Sequence, residues 1–389
     1  MMASRVVLWV IDGLPPSLVS LRTMPALAAL RDGKSALPAH AWSDAVSVMV
    51  ADTYSTHAAL LTGARAAGTG IPSNFVWTGE TFEPAGARHL RAETLFDALA
   101  ATDAGMESSL VMADPRLHSL FGGQPVAFNW DPASTSRRVP VVDYPTDAST
   151  IDTVIARVDA GDTLVVANTQ MVDLAGHVAS PGSPLHLGAM RAADLQVRRL
   201  VEHLFGEHAA DGSDTVLIIA SDHSMLRTLR KIPLGAWLFA RGLRGWHVQG
   251  TGAIALLAKP GGATDPETAR VCDLARSAPG VEAAYCTGGE LDSAQPGWHL
   301  DVEEAGHVVV AASKGWAFSD HFDVLPGTHA CEHARSTMLV AAGHDSLIRR
   351  GTTSRTAHQV DVAPTISALL GIPAPVNSTG RVLEEALAG

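Results

Sequence analysis

The chain has 389 residues, of which 47% are hydrophobic and 17% are charged, and its formal net charge is -12. This length and apolar content suffice for one large α/β domain with an insertion or for two domains, and they exclude extensive disorder. The excess of negative charge argues against a nucleic-acid polymer or an anionic membrane as partner, because either would need a broad basic face.

The cysteine pattern and the start of the chain bear on the cellular compartment. The three cysteines, Cys272, Cys286 and Cys331, are odd in number and form no Cys-x-x-Cys pair, so a disulfide framework is not expected. The first apolar run, 6–11, is too short for a secretory signal, and no run approaches the length of a membrane span. These features predict a cytoplasmic protein.

Short β-branched runs that end in polar residues or glycine recur along the chain and predict buried strands. They lie at 6–11, 109–112, 163–167, 215–220, 253–258, 308–311 and 338–341. Helical patterns lie between several of them, and the clearest begins at Ser183-Pro184, a cap followed by a first-turn proline. This alternation predicts a doubly wound, mostly parallel sheet with helices on both faces, which binds ligands at the carboxyl ends of its strands.

One long stretch interrupts this pattern. Residues 227–326 have their own predicted strands and a helical pattern at 266–277, yet they separate two motifs that we assign below to one site. The sequence therefore predicts a small inserted α/β cap at 227–326 and a catalytic core made of 1–226 and 327–389. Close to the end, residues 360–364 lead into an apolar helix that stops at Gly371.

Metal-binding types of side chain stand at or near the ends of predicted strands, where a hydrophobic core would not place them. Three are aspartates and three are histidines, namely Asp12, Asp173, His177, Asp222, His223 and His329. Each alone has an ordinary structural explanation, such as a turn, a helix cap or a packed histidine. Together at one sheet edge they offer mixed carboxylate and imidazole ligation, which suits zinc, and their number fits two ions.

A threonine segment supplies a candidate nucleophile. Residues 52–57 precede an apolar helical turn, so Thr53 is predicted to lie at a helix N-terminus. There an oxyanion on the side chain would be stabilised by the helix dipole and by free backbone N–H groups. Without metal ligands elsewhere in the chain, Thr53 or Ser55 would be interpreted as a plain N-cap.

The ordered set of motifs resembles the type I phosphodiesterase/nucleotide pyrophosphatase branch of the alkaline phosphatase superfamily, and within it the phosphonoacetate hydrolases. The similarity spans nearly the whole chain and is weak only in the cap. The segments that carry it are 10–14, 24–27, 53–63, 69–74, 173–177, 221–223, 327–329 and 360–364. No single motif decides the resemblance, whereas their order is specific.

The resemblance implies two zinc sites, in which Mn²⁺ could replace zinc. One ion would be held by Asp173, His177 and His329, and the other by Asp12, Thr53, Asp222 and His223. Asn74 would bind a phosphoryl oxygen. Thr53 would attack as a metal-stabilised alkoxide and form a covalent phosphothreonine that water then hydrolyses.

The chain departs from the family pattern at several places. Ser55-Thr56 replaces Pro-Asn, Ser224 replaces the glycine after Asp-His, and Ala330 replaces the glycine after the last histidine. These changes remove no ligand, but they bear on the position of the nucleophile loop. Further polar residues near the motifs are predicted to be packing, second-layer or incidental groups, and they are His57, His321, Cys331 and His333.

The substrate follows least directly from the sequence. In phosphonoacetate hydrolases a similar segment carries two lysines that hold the substrate carboxylate, and here the matching positions are Asp114 and Arg116. Arg116 could grip a carboxylate, whereas Asp114 would repel it unless it turns away or pairs with Arg116. The alternative for Asp114 is that it caps a helix with Pro115. The prediction is therefore a small-molecule phosphate ester or diester, or an altered phosphonate, with phosphonoacetate itself as the alternative.

Three other functions compete with this prediction. A sulfatase would need a cysteine or serine that becomes formylglycine, and no cysteine lies near Thr53. A phosphomutase of the same superfamily is less favoured by the segment 74–117. A non-catalytic, metal-stabilised binding protein should have lost a ligand or the nucleophile, and all seven expected positions remain.

Overall fold

The computed structural model describes residues 2–102, 105–139, 142–207, 214–319 and 325–388. Its strands are β1 (Arg5–Ile11), β2 (Ala39–Trp42), β3 (Ala45–Val46), β4 (Phe75–Trp77), β5 (Phe82–Pro84), β6 (Ser108–Met112), β7 (Phe128–Asn129), β8 (Leu164–Thr169), β9 (Thr215–Ala220), β10 (Leu226–Arg227), β11 (Arg230–Ile232), β12 (His247–Thr251), β13 (Ile254–Ala258), β14 (Val281–Cys286), β15 (Val308–Ala312), β16 (Trp316–Phe318), β17 (Gly327–Thr328), β18 (Ser336–Thr337), β19 (Leu339–Gly343), β20 (Gly351–Thr353) and β21 (Ala357–His358). Its helices are α1 (Pro25–Arg31), α2 (Thr53–Thr62), α3 (Ala66–Thr69), α4 (Leu95–Ala100), α5 (Pro115–Phe121), α6 (Asp147–Ala160), α7 (Met171–Ala179), α8 (Pro184–Phe205), α9 (Leu234–Ala240), α10 (Asp265–Arg276), α11 (Glu290–Ala294) and α12 (Val362–Leu370).

A mixed sheet of eight strands forms the centre of the fold, in the order β20-β2-β19-β9-β1-β8-β6-β7. The run from β9 to β7 is parallel throughout, with β1 between β8 and β9. Helices cover both of its faces, and the side chains of β1 alternate between two cores: Val6, Leu8 and Val10 face one, and Val7, Trp9 and Ile11 face the other. The predicted doubly wound, mostly parallel α/β fold is confirmed.

Strand β19 runs against its neighbours, which the sequence did not predict. It pairs antiparallel with β9, and Leu339 at its start lies opposite Ala220 at the end of β9. The start of β19 therefore meets the carboxyl ends of the parallel strands. This reversal brings the segment before β19, including His329, to the same edge of the sheet as Asp12 and Asp222.

A second sheet of four antiparallel strands, β12-β13-β15-β14, lies within residues 247–312. Helix α10 packs on β14 and β15, and this layer has its own core around Leu256 and Val309. That core continues into the main body through Met49 and Val50, just before α2. The observed sheet falls inside the predicted cap, while the boundaries 227 and 326 stay a prediction.

Among the described residues, none of the helices has both the length and the apolar character needed to cross a membrane.

The end of the chain is tied to the central sheet by one carboxylate. Glu385 accepts hydrogen bonds from the Arg381 guanidinium at 2.7 and 2.9 Å and from Nε1 of Trp42, which lies in β2, at 3.0 Å. The hydrogen bond from Arg381 lowers the pKa of Glu385 from 4.5 to about 2. A carboxyl group whose pKa is lower in the folded than in the unfolded protein stabilises the fold at pH values above its unfolded pKa. This stability is lost as the pH falls through its folded pKa.

We expect Glu385→Gln to lower the free energy of unfolding at pH 7, because the ion pair with Arg381 is lost. The loss should be limited to about 1–2 kcal/mol, because solvent screens part of this ion pair. The difference from wild type should shrink as the pH falls from 4.5 towards 2. Urea unfolding across this range measures it. The exposed neighbour Glu384 provides the control, since Glu384→Gln should have little effect. A loss that does not depend on pH would contradict the assignment.

Candidate active site

The carboxyl ends of two central strands carry the first ligand candidates. Asp12 directly follows β1, and Asp222 and His223 follow β9, its parallel neighbour in the sheet. All three side chains are buried. Nε2 of His223 lies 3.6 Å from Oδ1 of Asp12 and 3.3 Å from Oδ2 of Asp222. The predicted convergence of these residues is therefore present in the fold.

Helix α7 begins after β8, the other neighbour of β1, and presents Asp173 and His177 one turn apart. Nε2 of His177 lies 3.5 Å from Oδ1 of Asp173. The other ring nitrogen of His177 donates to the carbonyl of Gly327 at 3.0 Å. Nδ1 of His329 likewise donates to the carbonyl of Ala51 at 3.2 Å. In both rings the carbonyl contact makes Nδ1 the donor, so Nε2 is the nitrogen that could bind a cation.

The three histidines join the two groups of carboxylates. The rings of His223 and His329 stack with centroids 3.9 Å apart, and His177 meets His329 edge to face at 5.0 Å. Donor atoms within 4.8 Å of one another form the triads Asp173, His177 and His329; Asp12, Asp173 and His223; and Asp12, His57 and Asp222. All six residues predicted as aspartate or histidine ligands belong to these overlapping triads.

The hydrogen bonds of the carboxylates fit a cation. Oδ2 of Asp12 accepts from Nδ2 of Asn168 at 3.1 Å and from Nε2 of Gln170 at 2.7 Å. Oδ1 of Asp222 accepts from the backbone N–H groups of Gly13 and His223, both at 2.9 Å. The remaining oxygens of these two aspartates are buried and have no hydrogen-bond partner among the described residues, and the same holds for Oδ1 of Asp173. An unpartnered buried carboxylate oxygen is costly unless a metal ion binds it.

The electrostatics of the cluster lead to the same conclusion. Burial, together with the neighbouring Asp222 and Asp173, raises the pKa of Asp12 well above its usual value. Burial also raises the pKa of Asp222 to about 7 and lowers that of His329 to about 3. The site therefore concentrates carboxylates that resist ionisation with histidines that stay neutral. A divalent cation would lower the pKa of these aspartates again and would bind the neutral imidazoles directly.

Thr53 is the first residue of α2, and its side chain reaches the cluster. Its Oγ1 lies 3.4 Å from Nε2 of His223. The preceding residue, Asp52, uses its carboxylate to hold the loop, accepting from Oγ of Ser55 at 2.6 Å, from the N–H of Asn74 at 2.8 Å and from Oγ1 of Thr251 at 2.8 Å. The Thr53 side chain is thereby fixed at the start of a ten-residue helix, with its hydroxyl beside the ligand candidates.

Asn74 lies against the same helix start. Its Oδ1 accepts from the backbone N–H of Tyr54 at 2.9 Å, which fixes the plane of the amide. No acceptor among the described residues binds its Nδ2. Because Asn74 lines the cavity above the cluster, this amide nitrogen is available to a ligand there.

A cavity of about 600 Å³ opens over the cluster. His177 and His329 line it from the core, while Gln249 and Phe318 line it from the antiparallel layer and the strand beside it. The predicted cap thus contributes to the wall of the cavity. Such a cavity admits a small molecule rather than a polymer.

The two residues of the substrate segment point in different directions. Asp114 is the N-cap of α5, where its Oδ1 accepts from the N–H of Arg116 at 2.7 Å, and it does not line the cavity. Arg116 does line the cavity, and the neighbouring side chain of Tyr54 raises the pKa of its guanidinium. The helix-cap interpretation of Asp114 is confirmed.

Comparison with known proteins gives the family. The sequence profile of the type I phosphodiesterase/nucleotide pyrophosphatase family matches residues 6–334. The chain belongs to this family. It is accordingly a phosphoric ester hydrolase, and enzymes of the family are typically metal-dependent. No curated protein sequence is significantly similar to it.

Solved structures share the fold over nearly the full length. Human ectonucleotide pyrophosphatase/phosphodiesterase 5 aligns with a TM-score of 0.77 at 17% identity, over 99% of this chain and 100% of that chain. The murine protein aligns with a TM-score of 0.73 at 18% identity, over 95% of this chain and 96% of that chain. Its inactive threonine-to-alanine variant is known in complex with AMP. Alkaline phosphatase PafA aligns with a TM-score of 0.79 at 13% identity, over 100% of this chain and 99% of that chain. The predicted alkaline phosphatase-like architecture is confirmed.

The phosphodiesterase site also contains residues to which the sequence analysis assigned no role in the site. His57 is buried, its Nδ1 donates to the carbonyl of Thr53 at 2.7 Å, and its Nε2 accepts from Nδ2 of Asn168 at 3.2 Å. It was predicted to pack or cap, and these contacts make it a support for the start of α2, although it also enters a triad with Asp12 and Asp222. Asn168 is the last residue but one of β8 and Gln170 directly follows the strand, and polar residues at the end of a buried strand could have revealed them.

The other residues set aside in the sequence lie elsewhere in this phosphodiesterase fold. Cys331 and His333 line a separate pocket with Tyr285 and Trp298 and belong to none of the active-site triads. His321 lies outside the described residues.

Proposed function

We propose that this chain is a dizinc hydrolase that cleaves a phosphate ester or phosphodiester through a covalent intermediate on Thr53. The observation that carries the proposal is the position of the Thr53 hydroxyl, 3.4 Å from His223 at the start of α2 and within the cluster of unpartnered carboxylates. The zinc-loaded enzyme should accordingly accumulate phosphate on Thr53 when it is quenched during turnover.

The ligand sets follow the two groups of side chains. Asp173, His177 and His329 would hold one ion, and Asp12, Asp222, His223 and Thr53 the other. Carboxylate and imidazole donors in these numbers suit zinc, and Mn²⁺ is the expected substitute. Bound ions would supply Lewis acidity and charge neutralisation at the reacting phosphoryl group.

The residues of the chain would position and stabilise the reacting group. The hydroxyl of Thr53 gives its proton to solvent and its oxygen forms the new bond to phosphorus, while the bond to the leaving oxygen breaks and that oxygen takes a proton from solvent. Water later attacks the phosphorus and breaks the bond to the threonine oxygen. One proton of the water returns to Thr53, and the phosphoryl group leaves with the water oxygen. The amide of Asn74, which lines the cavity, and the N-terminal end of the α2 dipole would stabilise the negative phosphoryl oxygens in the transition state.

The geometry of Asp114 and Arg116 bears on the substrate. Of the two positions where phosphonoacetate hydrolases, by resemblance, have lysines, the second holds Arg116, which lines the cavity, and Lys231 of the predicted cap lines it as well. Asp114 turns into the protein to cap α5, so it adds negative charge behind the site rather than a grip on a carboxylate. This arrangement supports an ester or diester substrate. Phosphonoacetate stays the second candidate, because Arg116 alone could bind its carboxylate.

A direct comparison of substrates tests this preference. We expect the zinc-loaded enzyme to hydrolyse p-nitrophenyl phosphate, bis-p-nitrophenyl phosphate or phenyl thymidine monophosphate with a higher kcat/KM than phosphonoacetate. Steady-state rates measured side by side decide the order. Phosphonoacetate as the best substrate would overturn the interpretation of Asp114 and promote the second candidate.

Arg116 should discriminate between monoesters and diesters. A monoester carries one more negative charge than a diester, so the loss of a cavity guanidinium should cost it more. We expect Arg116→Met to lower kcat/KM for p-nitrophenyl phosphate by about 10²-fold and for the bis ester by much less. Arg91→Met is the matched control, because Arg91 is an exposed arginine that pairs with Glu304 away from the cavity. Equal losses for both substrates would show that Arg116 does not read this charge.

A further inference from the structure

Two thiols meet in the antiparallel layer, away from the phosphodiesterase site. Cys272 lies on α10 and Cys286 is the last residue of β14, 14 residues further along the chain. Their Sγ atoms are 2.8 Å apart. Neither residue lines the cavity above the ligand cluster.

The fold holds this contact from both sides. Cys272 is fully buried on the apolar face of α10 beside Val271 and Ala275, and that face packs on β14. Cys286 is half-buried and pairs with Val308 of β15. Because both residues sit on regular elements that pack together, their closeness does not depend on a loop conformation.

A metal site and a disulfide are the two chemistries that such a pair allows, and Glu290 is the third candidate donor nearby. Two thiolates on one zinc ion would stand about 3.7 Å apart, because each Zn–S bond is about 2.3 Å long and the site is tetrahedral. The observed distance is clearly shorter. Moreover, Glu290 is already used, since it accepts from the guanidinium of Arg276 at 2.8 Å and from the N–H of Cys286 at 2.9 Å.

We propose that Cys272 and Cys286 form a disulfide when the protein meets a small-molecule disulfide oxidant, and that this bond stabilises the antiparallel layer under oxidising conditions. The bond would close a short loop between α10 and β14. Its stabilisation would come mainly from restricting the unfolded chain. Since the two cysteines lie outside the cavity, the disulfide should raise the stability of the protein and leave turnover unchanged.

The chemistry is a thiol–disulfide exchange in two steps. The more exposed Cys286 attacks the oxidant as a thiolate, forms a mixed disulfide and releases one thiolate of the oxidant. Cys272 then attacks the sulfur of Cys286 and releases the second, so that two protein thiols lose two electrons and two protons and the oxidant becomes two thiols. Burial raises the pKa of both cysteines, so the reaction should be faster at alkaline pH.

The test uses the full chain incubated with oxidised glutathione at pH 8.5, followed by thiol counting in denaturant, intact mass and thermal unfolding. We expect three free thiols to become one, the mass to fall by about 2 Da, and Tm to rise by roughly 5 °C over the reduced protein. Cys272→Ser and Cys286→Ser should each abolish the rise. Cys331→Ser is the matched control, because Cys331 is also buried but belongs to no thiol pair, and it should keep the rise.

Each alternative outcome is distinct. Three thiols that persist in the oxidised sample, or a stable glutathione adduct on Cys286, would overturn the proposal. Zinc bound by the reduced wild type in excess of that bound by Cys272→Ser would instead point to the metal site and would also overturn it.

Discussion

Replacing Thr53 by alanine is expected to lower kcat by about 10⁴-fold or more. The change removes the hydroxyl and one methyl group, and the proposed reaction forms its bond to phosphorus at that hydroxyl. The aspartate and histidine ligands are untouched, so zinc content and Tm should stay close to those of wild type. Single-turnover kinetics with p-nitrophenyl phosphate, alongside metal analysis of the same samples, measures both effects.

Two other variants make this result specific to the nucleophile. Thr53→Ser keeps a hydroxyl in place and should retain far more activity. Thr62→Ala removes a buried hydroxyl from the far end of the same helix, where it donates to the carbonyl of Ala58, and should keep near wild-type turnover. A Thr53→Ala enzyme with near wild-type kcat would rule out covalent catalysis by this residue.

Replacing Asp222 by alanine is expected to abolish activity and to weaken zinc binding by at least about 100-fold. The change removes a proposed ligand whose Oδ2 is unpartnered, and it leaves the N–H groups of Gly13 and His223 without their acceptor. The wild type should gain about 2.7 kcal/mol of stability at zinc concentrations 100 times its dissociation constant. The Asp222→Ala protein should gain almost none of it, as thermal unfolding with and without zinc will show.

Asp194 provides the control for this experiment. It is also a buried aspartate with a raised pKa caused by burial, but it accepts from the N–H groups of Ala26 and Leu27 at the start of α1, outside the ligand cluster. Asp194→Asn should lose some stability without zinc and should keep the zinc-dependent gain. A zinc-dependent gain that survives in Asp222→Ala would remove Asp222 from the ligand set.

Much of this site follows from the sequence because local signals agree with the fold. The run 215–220 is apolar, β-branched and followed by Asp222-His223, so both the strand and the polar residues at its end are visible in one segment. Thr53 could be placed at a helix start because an apolar helical turn follows it directly. Ser183-Pro184 likewise marks the start of α8, where Oγ of Ser183 accepts from the N–H of His186.

Other features depend on contacts that no single segment encodes. The direction of β19 is set by its pairing with β9, and an apolar run reads the same for a parallel or an antiparallel strand. The link from His57 through Asn168 to Asp12 joins three distant segments, so His57 alone looks like an ordinary helical histidine. From the sequence, Asp114 could be proposed as a helix cap. Only the fold shows that its carboxylate turns away from the cavity while Arg116 faces the cavity.

The most direct test of the account is a zinc titration of enzyme stripped by a chelator, with hydrolysis of the best phosphate ester followed at each addition. We expect negligible activity without metal and a rise that saturates at two equivalents of zinc per chain. Full activity in the metal-free protein, or no activity at any zinc level with every substrate tested, would contradict it.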